Sequence, residues 1–486
     1  MSLFHTWRTQ WVAEAPALTH QGTTWTYADL DVRVRRAAGW LAEQGVARGD
    51  VVALMMPRGP AFLELVLGCL ARGAAALPLN DRYPAPEVAY FIGDAAPALA
   101  VLPSGLGSQV AAGRRWVPAE SVRQHLDDAP ERALEPAVPA DTPAMLMYTS
   151  GTTGRPKGAL HDHASLGATI EALHQAFRWQ SNDVILHVLP QYHVHGLVVA
   201  QLGALRAGAH ARWLPKFDAE AVVRALDGTD VTVFMGVPTF YQRLLAHPQT
   251  PDVSGIRLFT SGSAPLPAPT FEAFHQRYGH RVLERYGMTE IGIVLANPYD
   301  DRRSGAVGKP MQQVEVRIVD PGTVVEKAAG DVGEVQIRGP SVFRGYLGRP
   351  EATADAVVDG WMRTGDLGHR DAEGYIRLVG RRSDLVLTGG FNVYPAEVEG
   401  ALLEHPAVTA CAVFGLPDAD LGERVAVAWV GAETSSTDPD LRGFLRERLA
   451  AYKVPRDVHR VEALPRNAMG KVLKRELRER FGPNGP

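Results

Sequence analysis

Hydrophobic and polar positions follow two alternating patterns through most of the chain. Short apolar runs, typical of strands buried on both faces, occur at 51–56, 144–149, 184–189 and 257–262. Longer stretches with helical spacing, such as 27–45, separate them. Buried strands that alternate with helices predict a parallel α/β sheet, in which ligand sites lie at the carboxyl ends of the strands.

The pattern changes further along the chain. Residues 104–142 are rich in Ala, Pro, Gly and charged residues and predict surface elaboration, whereas 305–375 consists of short β-runs with turns and predicts a small barrel-like β-unit. A compact α+β segment begins after Gly380. We therefore predict a large N-terminal α/β domain, 1–381, that includes the β-unit, and a smaller α+β C-terminal domain, 382–486.

Composition narrows the classes of function. The chain carries 54 acidic and 50 basic residues, for a net charge of −4, which argues against a nucleic-acid partner. Its two cysteines, Cys69 and Cys411, suit neither a disulfide framework nor a zinc site. No secretory signal is visible, and the apolar stretch 61–79 is interrupted by Glu64 and Arg72, which indicates a core helix and not a membrane span. We expect a cytoplasmic protein without a membrane partner.

The most informative segment is the loop 148–158, YTSGTTGRPKG, which follows an apolar strand. Its glycines let backbone N–H groups approach an anion, while hydroxyl groups and a lysine add donors and charge. It is not a Walker A loop, because no Ser or Thr follows the lysine; a Gly/Thr-rich surface turn is the alternative. The predicted phosphate-binding residues are Thr149, Ser150, Gly151, Thr152, Thr153, Gly154 and Lys157.

This loop resembles the phosphate-binding signature of the adenylate-forming superfamily, which includes acyl-CoA synthetases, peptide-synthetase adenylation domains and luciferases. Further segments resemble that superfamily in its usual order: LPQYHVHG (189–196), TSGSAPLP (260–267), ERYGMTE (284–290), GEVQIRGPSVFRGYLG (333–348), RTGDLG (363–368), GRRSDLVLTGGFNVYPAEVE (380–399) and PRNAMGKVLK (465–474). The resemblance implies an ATP-dependent acid–CoA ligase that forms an acyl-adenylate and then a thioester. It implies a small carboxylic acid, ATP and CoA as substrates and Mg²⁺ as cofactor, with a carrier protein as the alternative acceptor.

The resemblance also implies contacts to the nucleotide. Glu290 and Thr149 would bind Mg²⁺, which prefers oxygen ligands beside phosphates, and Thr289 would contact the α-phosphate. Asp366 would accept hydrogen bonds from the ribose hydroxyls, assisted by Arg381. The adenine pocket would comprise Gly262, Ser263, Ala264, Pro265, Arg285, Tyr286, Gly287 and Met288.

In the C-terminal domain, the resemblance points to Lys471. Its ammonium would bridge the carboxylate and the α-phosphate in the transition state of adenylation. This domain rotates between the two half-reactions in the superfamily, and Asp384 matches the hinge position. After rotation, the loop at Gly389 and Gly390 would line the channel for the pantetheine arm of CoA.

The identity of the acid is a further prediction. The segments resemble malonyl-CoA synthetases most, which suggests malonate or methylmalonate. His193 is expected beside the carboxylate and the nucleotide, with Val194, Ser261 and Met288 around the acid. A dicarboxylate needs a cation for its distal charge, because an unpaired buried carboxylate is strongly unfavourable. Arg257 is the candidate cation, and the alternative is that this arginine is structural.

Other functions remain open at this point. A ligase for a medium-chain fatty or aromatic acid, or an adenylation enzyme that loads a carrier protein, would share most of these residues. A catalytically silent nucleotide-binding regulatory homologue is the alternative from another class. Such a homologue would be expected to lose the metal ligand or the catalytic lysine, and both Glu290 and Lys471 are present.

Overall fold

The structure is a computed structural model that describes residues 3–111, 113–134, 138–149, 155–431, 439–467 and 470–482. Its α-helices are α1 (Leu3–Arg8), α2 (Tyr27–Glu43), α3 (Pro60–Arg72), α4 (Ala85–Ala95), α5 (Ser104–Val110), α6 (Val122–Asp128), α7 (His163–Ala176), α8 (Gly203–Ala207), α9 (Ala219–Leu226), α10 (Pro238–Ala246), α11 (Ala268–Tyr278), α12 (Pro350–Ala356), α13 (Pro395–Leu402), α14 (Leu441–Arg446) and α15 (Lys474–Phe481). A π-helix covers His195–Leu202, and 3₁₀ turns cover Ala119–Ser121, Arg382–Asp384 and Ala451–Lys453.

The strands complete the architecture. They are β1 (Pro16–His20), β2 (Thr23–Thr26), β3 (Val51–Leu54), β4 (Ala75–Pro78), β5 (Leu99–Leu102), β6 (Trp116–Pro118), β7 (Pro143–Thr149), β8 (Lys157–Asp162), β9 (Val184–His187), β10 (His210–Trp213), β11 (Val233–Gly236), β12 (Leu258–Ser261), β13 (Leu283–Met288), β14 (Gly292–Ala296), β15 (Lys309–Pro310), β16 (Glu315–Val319), β17 (Gly333–Arg338), β18 (Gly345–Tyr346), β19 (Val357–Val358), β20 (Trp361–Arg370), β21 (Ile376–Arg381), β22 (Val386–Thr388), β23 (Phe391–Val393), β24 (Val408–Asp418), β25 (Gly422–Gly431) and β26 (Asp457–Arg460).

Two large sheets form the N-terminal part. One has the strand order β15-β14-β13-β12-β11-β9-β10-β1-β2 and the other β18-β8-β7-β4-β3-β5-β6. The central strands of both pair in parallel, and antiparallel strands lie towards the edges. The prediction for 104–142 was incomplete, because β6 in this segment extends the second sheet in parallel with β5.

The central strands are buried on both faces, as their apolar runs predict. In β3, Val52 and Leu54 enter one hydrophobic cluster while Ala53 enters another. In β9, Ile185 enters the first of these clusters and Leu186 enters a third. The first cluster also contains α2, α3 and α7, so these helices pack between the two sheets. This arrangement confirms the predicted α/β architecture.

Two smaller sheets follow. The predicted β-unit consists of β16-β17-β20-β19, with β21 paired to β20, and the C-terminal sheet consists of β23-β22-β25-β24, with β26 paired to β25. The C-terminal sheet has hydrophobic clusters of its own with α13, α14 and α15. Within the described part of the chain, no helix combines the length and the apolar character needed to span a bilayer.

The carboxyl ends of several strands meet at one place. β7 ends at Thr149, and β12 is followed by Ser263. β13 ends at Met288, and the segment after β9 carries His193. All four residues line one cavity. β9, β12 and β13 belong to one sheet, in which parallel strands point their carboxyl ends to the same edge, and β7 of the other sheet ends at the same cavity. The site therefore lies where the sheet order predicts it.

Candidate active site

A cavity of about 1040 Å³ lies between the two large sheets, the β-unit and the C-terminal part. The predicted site residues that line it are Thr149, Lys157, His193, Val194, Ser263, Arg285, Gly287, Met288, Thr289, Glu290, Arg381 and Lys471. Ser150, Gly151, Thr152, Thr153 and Gly154 lie outside the described residues. The predicted residues that do not line it are Arg257, Ser261, Gly262, Ala264, Pro265, Tyr286, Asp366, Asp384, Gly389 and Gly390.

Glu290 is a buried carboxylate at the wall of this cavity. It is 5% exposed, and burial raises its pKa above the ordinary value. The hydroxyl of Tyr346 donates to its Oε1 at 2.9 Å, and the ammonium of Lys157 lies 5.0 Å from the Tyr346 ring centroid. With the hydroxyl of Thr149 on the same cavity, these oxygen atoms suit Mg²⁺, which takes few protein ligands and completes its shell with phosphate oxygens and water.

Asp366 is held in place by two neighbours. β20 and β21 are antiparallel and place Asp366 opposite Arg381, whose Nε lies 3.0 Å from Oδ1. The hydroxyl of Tyr286 donates to Oδ2 at 2.6 Å. Of these three side chains, only Arg381 reaches the cavity wall, so the predicted contact of Asp366 with a ribose remains a prediction.

Lys471 reaches the cavity from the C-terminal part. Its backbone N–H donates to Oδ1 of Asn467 at 3.0 Å, and Asn467 N–H donates back to the Lys471 carbonyl at 2.9 Å. A Cβ added to Gly470, in the same turn, would lie 3.3 Å from Oγ1 of Thr239 on α10. The turn therefore packs against the N-terminal part. Burial, and next the charge of Arg381, lowers the pKa of Lys471.

Asp384, Gly389 and Gly390 lie outside the wall of the cavity. Asp384 lies in a 3₁₀ turn directly after β21 and accepts a hydrogen bond from Nη2 of Arg478 on α15 at 3.1 Å. Gly389 and Gly390 connect β22 to β23 with φ angles of 56° and 82°, which glycine adopts without strain. In this arrangement Lys471 lines the cavity and the glycine pair does not.

Arg285 is a buried cation for which the described part of the chain supplies no counter-charge. It is 6% exposed and lines the cavity, yet its Nε and Nη2 have no hydrogen-bond partner among the described residues. Burial lowers its pKa to about 9. A Cβ on Gly262 would lie 2.3 Å from Cζ of Arg285, so only glycine leaves room for the guanidinium there. An unpaired buried guanidinium is unfavourable, which makes this position suited to an anionic ligand.

Two histidines lie beside this cation. Burial, and next the charge of Arg285, lowers the pKa of His193 to about 4 and that of His195 well below its ordinary value. Both rings are therefore neutral near pH 7 and offer hydrogen bonds without adding charge. Nδ1 of His195 lies 3.2 Å from Oγ of Ser263, whose backbone has a φ of 70°. The sequence reasoning gave no role to His195, although it lies in the segment LPQYHVHG.

The prediction that Arg257 pairs with the acid is wrong. Its Nε donates to Oδ1 of Asp183 at 2.7 Å, and its Nη2 contacts Oδ2 of the same carboxylate. Its Nη1 donates to the Phe177 carbonyl at 2.8 Å. Asp183 is 2% exposed, so the pair is internal and the alternative, a structural arginine, is the one observed. Ser261 is also buried away from the cavity.

Replacement of Arg257 by alanine is expected to lower the free energy of unfolding by about 3–5 kcal/mol, because Asp183 would stay buried without its partner. The KM for the acid should change little. Chemical denaturation together with steady-state kinetics measures both. Arg224→Ala, which breaks an exposed pair with Glu220, is the control and should cost less than about 1 kcal/mol. A raised KM without loss of stability would contradict the structural role.

Several cavity residues were missed by the sequence reasoning. Tyr346 lies in the segment 333–348 and Tyr192 precedes His193, so a search of those segments for phenolic donors would have found both. Tyr83, which precedes α4, and Glu87, in its first turn, also line the cavity. No short sequence pattern around these two residues marks them as site residues, because only the packing of the second sheet brings them to the cavity.

Comparison with protein families gives two matches. The model of the AMP-binding enzyme family matches residues 4–347, and that of the AMP-binding enzyme C-terminal domain matches residues 397–471. The first match alone covers more than half of the chain. The first match includes the cavity residues from Pro78 to Tyr346, and the second ends at Lys471.

Individual relatives cover nearly the whole chain. A feruloyl-CoA synthase from Amycolatopsis sp is 39% identical over 96% of this chain and 96% of its own. The mitochondrial malonate–CoA ligase of Mus musculus is 41% identical over 91% of this chain and 84% of its own. Among solved structures, ATP-bound MatB from Rhodopseudomonas palustris aligns with a TM-score of 0.95 at 39% identity, covering 99% of both chains.

The matches agree with the cavity geometry. Thr149 and Lys157 of the phosphate loop, four residues of the YGMTE segment (287–290) and Lys471 line one cavity, whereas Tyr286 lies behind its wall and contacts Asp366. The family models and the named relatives are AMP-binding enzymes and acid–CoA ligases or synthases. The chain therefore belongs to the family of AMP-binding, adenylate-forming enzymes and is an AMP-forming acid–thiol ligase.

Proposed function

We propose that this enzyme joins malonate, or the closely related methylmalonate, to CoA with release of AMP and pyrophosphate. The observation that carries the proposal is the buried guanidinium of Arg285 on the cavity wall, two of whose nitrogens, Nε and Nη2, find no hydrogen-bond partner among the described residues. A dicarboxylate brings one carboxylate to react and a second that needs a buried counter-charge. Arg285 supplies that charge, and the dicarboxylate in turn relieves the unfavourable burial of an unpaired cation.

The two ends of malonate fit the two sides of the cavity. The distal carboxylate pairs with Arg285, and neutral His195 and Ser263 offer hydrogen bonds beside it. The reacting carboxylate lies near His193, towards the nucleotide. Val194 and Met288 enclose the short methylene between them. This placement needs no charge from His193 or His195, since both are neutral.

Adenylation then follows from charge neutralisation and alignment. A carboxylate oxygen attacks the α-phosphorus of ATP, and the bond to pyrophosphate breaks. Lys471 offsets the negative charge shared by the carboxylate and the α-phosphate, and Thr289 donates to an α-phosphate oxygen. Bound Mg²⁺, held by Glu290 and Thr149, would neutralise the phosphates. Ser150, Gly151, Thr152, Thr153, Gly154 and Lys157 complete the phosphate contacts in this proposal.

The second half-reaction requires a different arrangement of the chain. The CoA thiol attacks the acyl carbon of the adenylate, and AMP leaves. In this proposal residues 382–486 rotate about Asp384 relative to residues 1–381. Lys471 then leaves the cavity, and the loop at Gly389 and Gly390 lines the pantetheine channel. The ion pair between Asp384 and Arg478 would have to adapt during that rotation.

An aromatic acid is the second candidate. The feruloyl-CoA synthase from Amycolatopsis sp is as similar to this chain as MatB is, at 39% identity. Tyr83, Phe91 and Tyr192 are among the aromatic side chains that line the cavity, which could hold a ring beside a nucleotide. An aromatic monocarboxylate would, however, bring no second carboxylate to pair with Arg285. That difference favours the dicarboxylate.

A panel of acids tests the choice. Purified enzyme with ATP, Mg²⁺ and CoA is expected to show the highest kcat/KM for AMP release with malonate or methylmalonate. The kcat/KM for acetate should be lower than that for malonate by at least about a hundredfold, because acetate leaves the buried polar groups of the site unpaired. Succinate, octanoate, benzoate and ferulate complete the panel. Preference for ferulate or octanoate would reject the dicarboxylate while leaving the ligase assignment in place.

A further inference from the structure

His161 connects the two segments that are expected to contact the phosphates. It lies on β8, four residues after Lys157, and its ring is 6% exposed. Its Nε2 lies 2.7 Å from the backbone carbonyl of Thr289, in the turn between β13 and β14. The two residues are far apart in sequence, so this contact exists only in the folded chain.

The hydrogen bonds determine which nitrogen carries the proton. A carbonyl oxygen only accepts, so Nε2 of His161 must be the donor to Thr289. Nδ1 of the neutral ring is then the acceptor, and Oγ of Ser165 lies 3.0 Å from it. Ser165 lies in the first turn of α7, where its backbone N–H donates to Oδ1 of the N-cap residue Asp162 at 2.8 Å. The ring is therefore fixed in one tautomer and one orientation.

The same turn is held from its other side. The Phe343 N–H donates to the Glu290 carbonyl at 2.8 Å, and the Tyr346 hydroxyl donates to the Glu290 carboxylate at 2.9 Å. The Phe343 ring also packs near His161, with 6.5 Å between the ring centroids. On the side of Thr289, the backbone carbonyl accepts the hydrogen bond from Nε2 of His161. The turn thus depends on His161 for the orientation of the Thr289 peptide.

We infer that His161 is a positioning residue for adenylation: it holds the Thr289 peptide so that the Thr289 hydroxyl meets the α-phosphate. This inference rests on the proposed role of Thr289, but it does not depend on which acid is used. His161 itself does not line the cavity, so its proposed effect acts through Thr289. Replacement of His161 should therefore lower the rate of adenylate formation and should leave the binding of CoA unchanged.

The test compares two replacements. His161→Leu keeps a buried side chain but removes the donor, and should lower the rate of acid-dependent ATP–pyrophosphate exchange by about tenfold to a hundredfold. His161→Gln places an amide N–H near the position of Nε2 and should stay within about threefold of the wild type. Thioester formation from a supplied acyl-adenylate and CoA should be unchanged in both variants.

A matched control is two residues away. His163 is also buried, but its Nδ1 accepts from the Leu3 N–H at 3.4 Å, which is not part of the Thr289 turn. His163→Leu should affect the thermal midpoint of unfolding and leave the exchange rate per folded molecule unchanged. Exchange is measured with the acid that the wild type uses best. No exchange by the wild type with any acid would reject the proposed reaction itself.

Three outcomes would overturn the inference. The first is full exchange activity in His161→Leu. The second is equal loss in the Leu and Gln variants, which would indicate packing and not a hydrogen bond. The third is an equal loss in both half-reactions, as expected from general damage to the fold.

Discussion

Replacement of Lys471 by alanine is expected to slow adenylate formation by about a hundredfold to a thousandfold, while the affinity for ATP changes by only a few fold. The ammonium lies on the wall of the cavity, and its proposed role is to offset charge that two anions share only in the transition state. Its removal should therefore act on kcat more than on ground-state binding. Acid-dependent pyrophosphate exchange and calorimetric ATP titration separate the two quantities.

Lys474 offers a matched control for this variant. It lies three residues further along the same segment, but its Nζ pairs with Oε1 of Glu399 at 2.8 Å within the C-terminal part. Lys474→Ala should leave exchange within a few fold of the wild type. Thioester formation from a supplied adenylate should survive in Lys471→Ala, because the lysine is proposed to leave the cavity for that step. Full exchange activity in Lys471→Ala would reject the assigned role.

Replacement of Arg285 by methionine is expected to lower kcat/KM for malonate by about a thousandfold or more, and that for acetate by less than about tenfold. Malonate would bring its distal carboxylate into a buried site without a counter-charge, whereas acetate has no such group. The variant should be as stable as the wild type or more stable, since it removes an unpaired buried cation. Steady-state kinetics with malonate and acetate test the change in preference, and chemical denaturation tests the stability of the variant.

The contrast between two arginines sharpens this experiment. Arg257→Ala should lose stability and keep its preference among acids, whereas Arg285→Met should keep stability and lose the preference. Arg285→Lys retains a charge on a different stem and should recover part of the malonate activity. Equal losses with malonate and acetate in Arg285→Met would mean that the guanidinium supports the nucleotide, as the sequence resemblance first suggested, and would remove the main support for malonate.

Local patterns predicted much of this molecule. The apolar runs that form β3 and β9 were identified because a strand buried on both faces consists almost entirely of apolar residues. Helix α2 was predicted within two residues of its observed ends, since its spacing and capping are properties of neighbouring residues. The segments around Thr149, Glu290 and Lys471 could be singled out because each chemical group lies within a short, ordered motif.

The sequence by itself determined the alternation of strands and helices, the family, and the motifs whose residues are proposed to contact ATP, because these depend on composition and short-range order. Only the tertiary structure decided which arginine is free. Arg257 and Arg285 look alike in sequence, but Asp183 neutralises the first, and the fold leaves the second buried on the cavity wall with two unpartnered nitrogens. The contact of His161 with Thr289 arises in the same way. Pairing between distant side chains depends on where the backbone brings them, which no local pattern encodes.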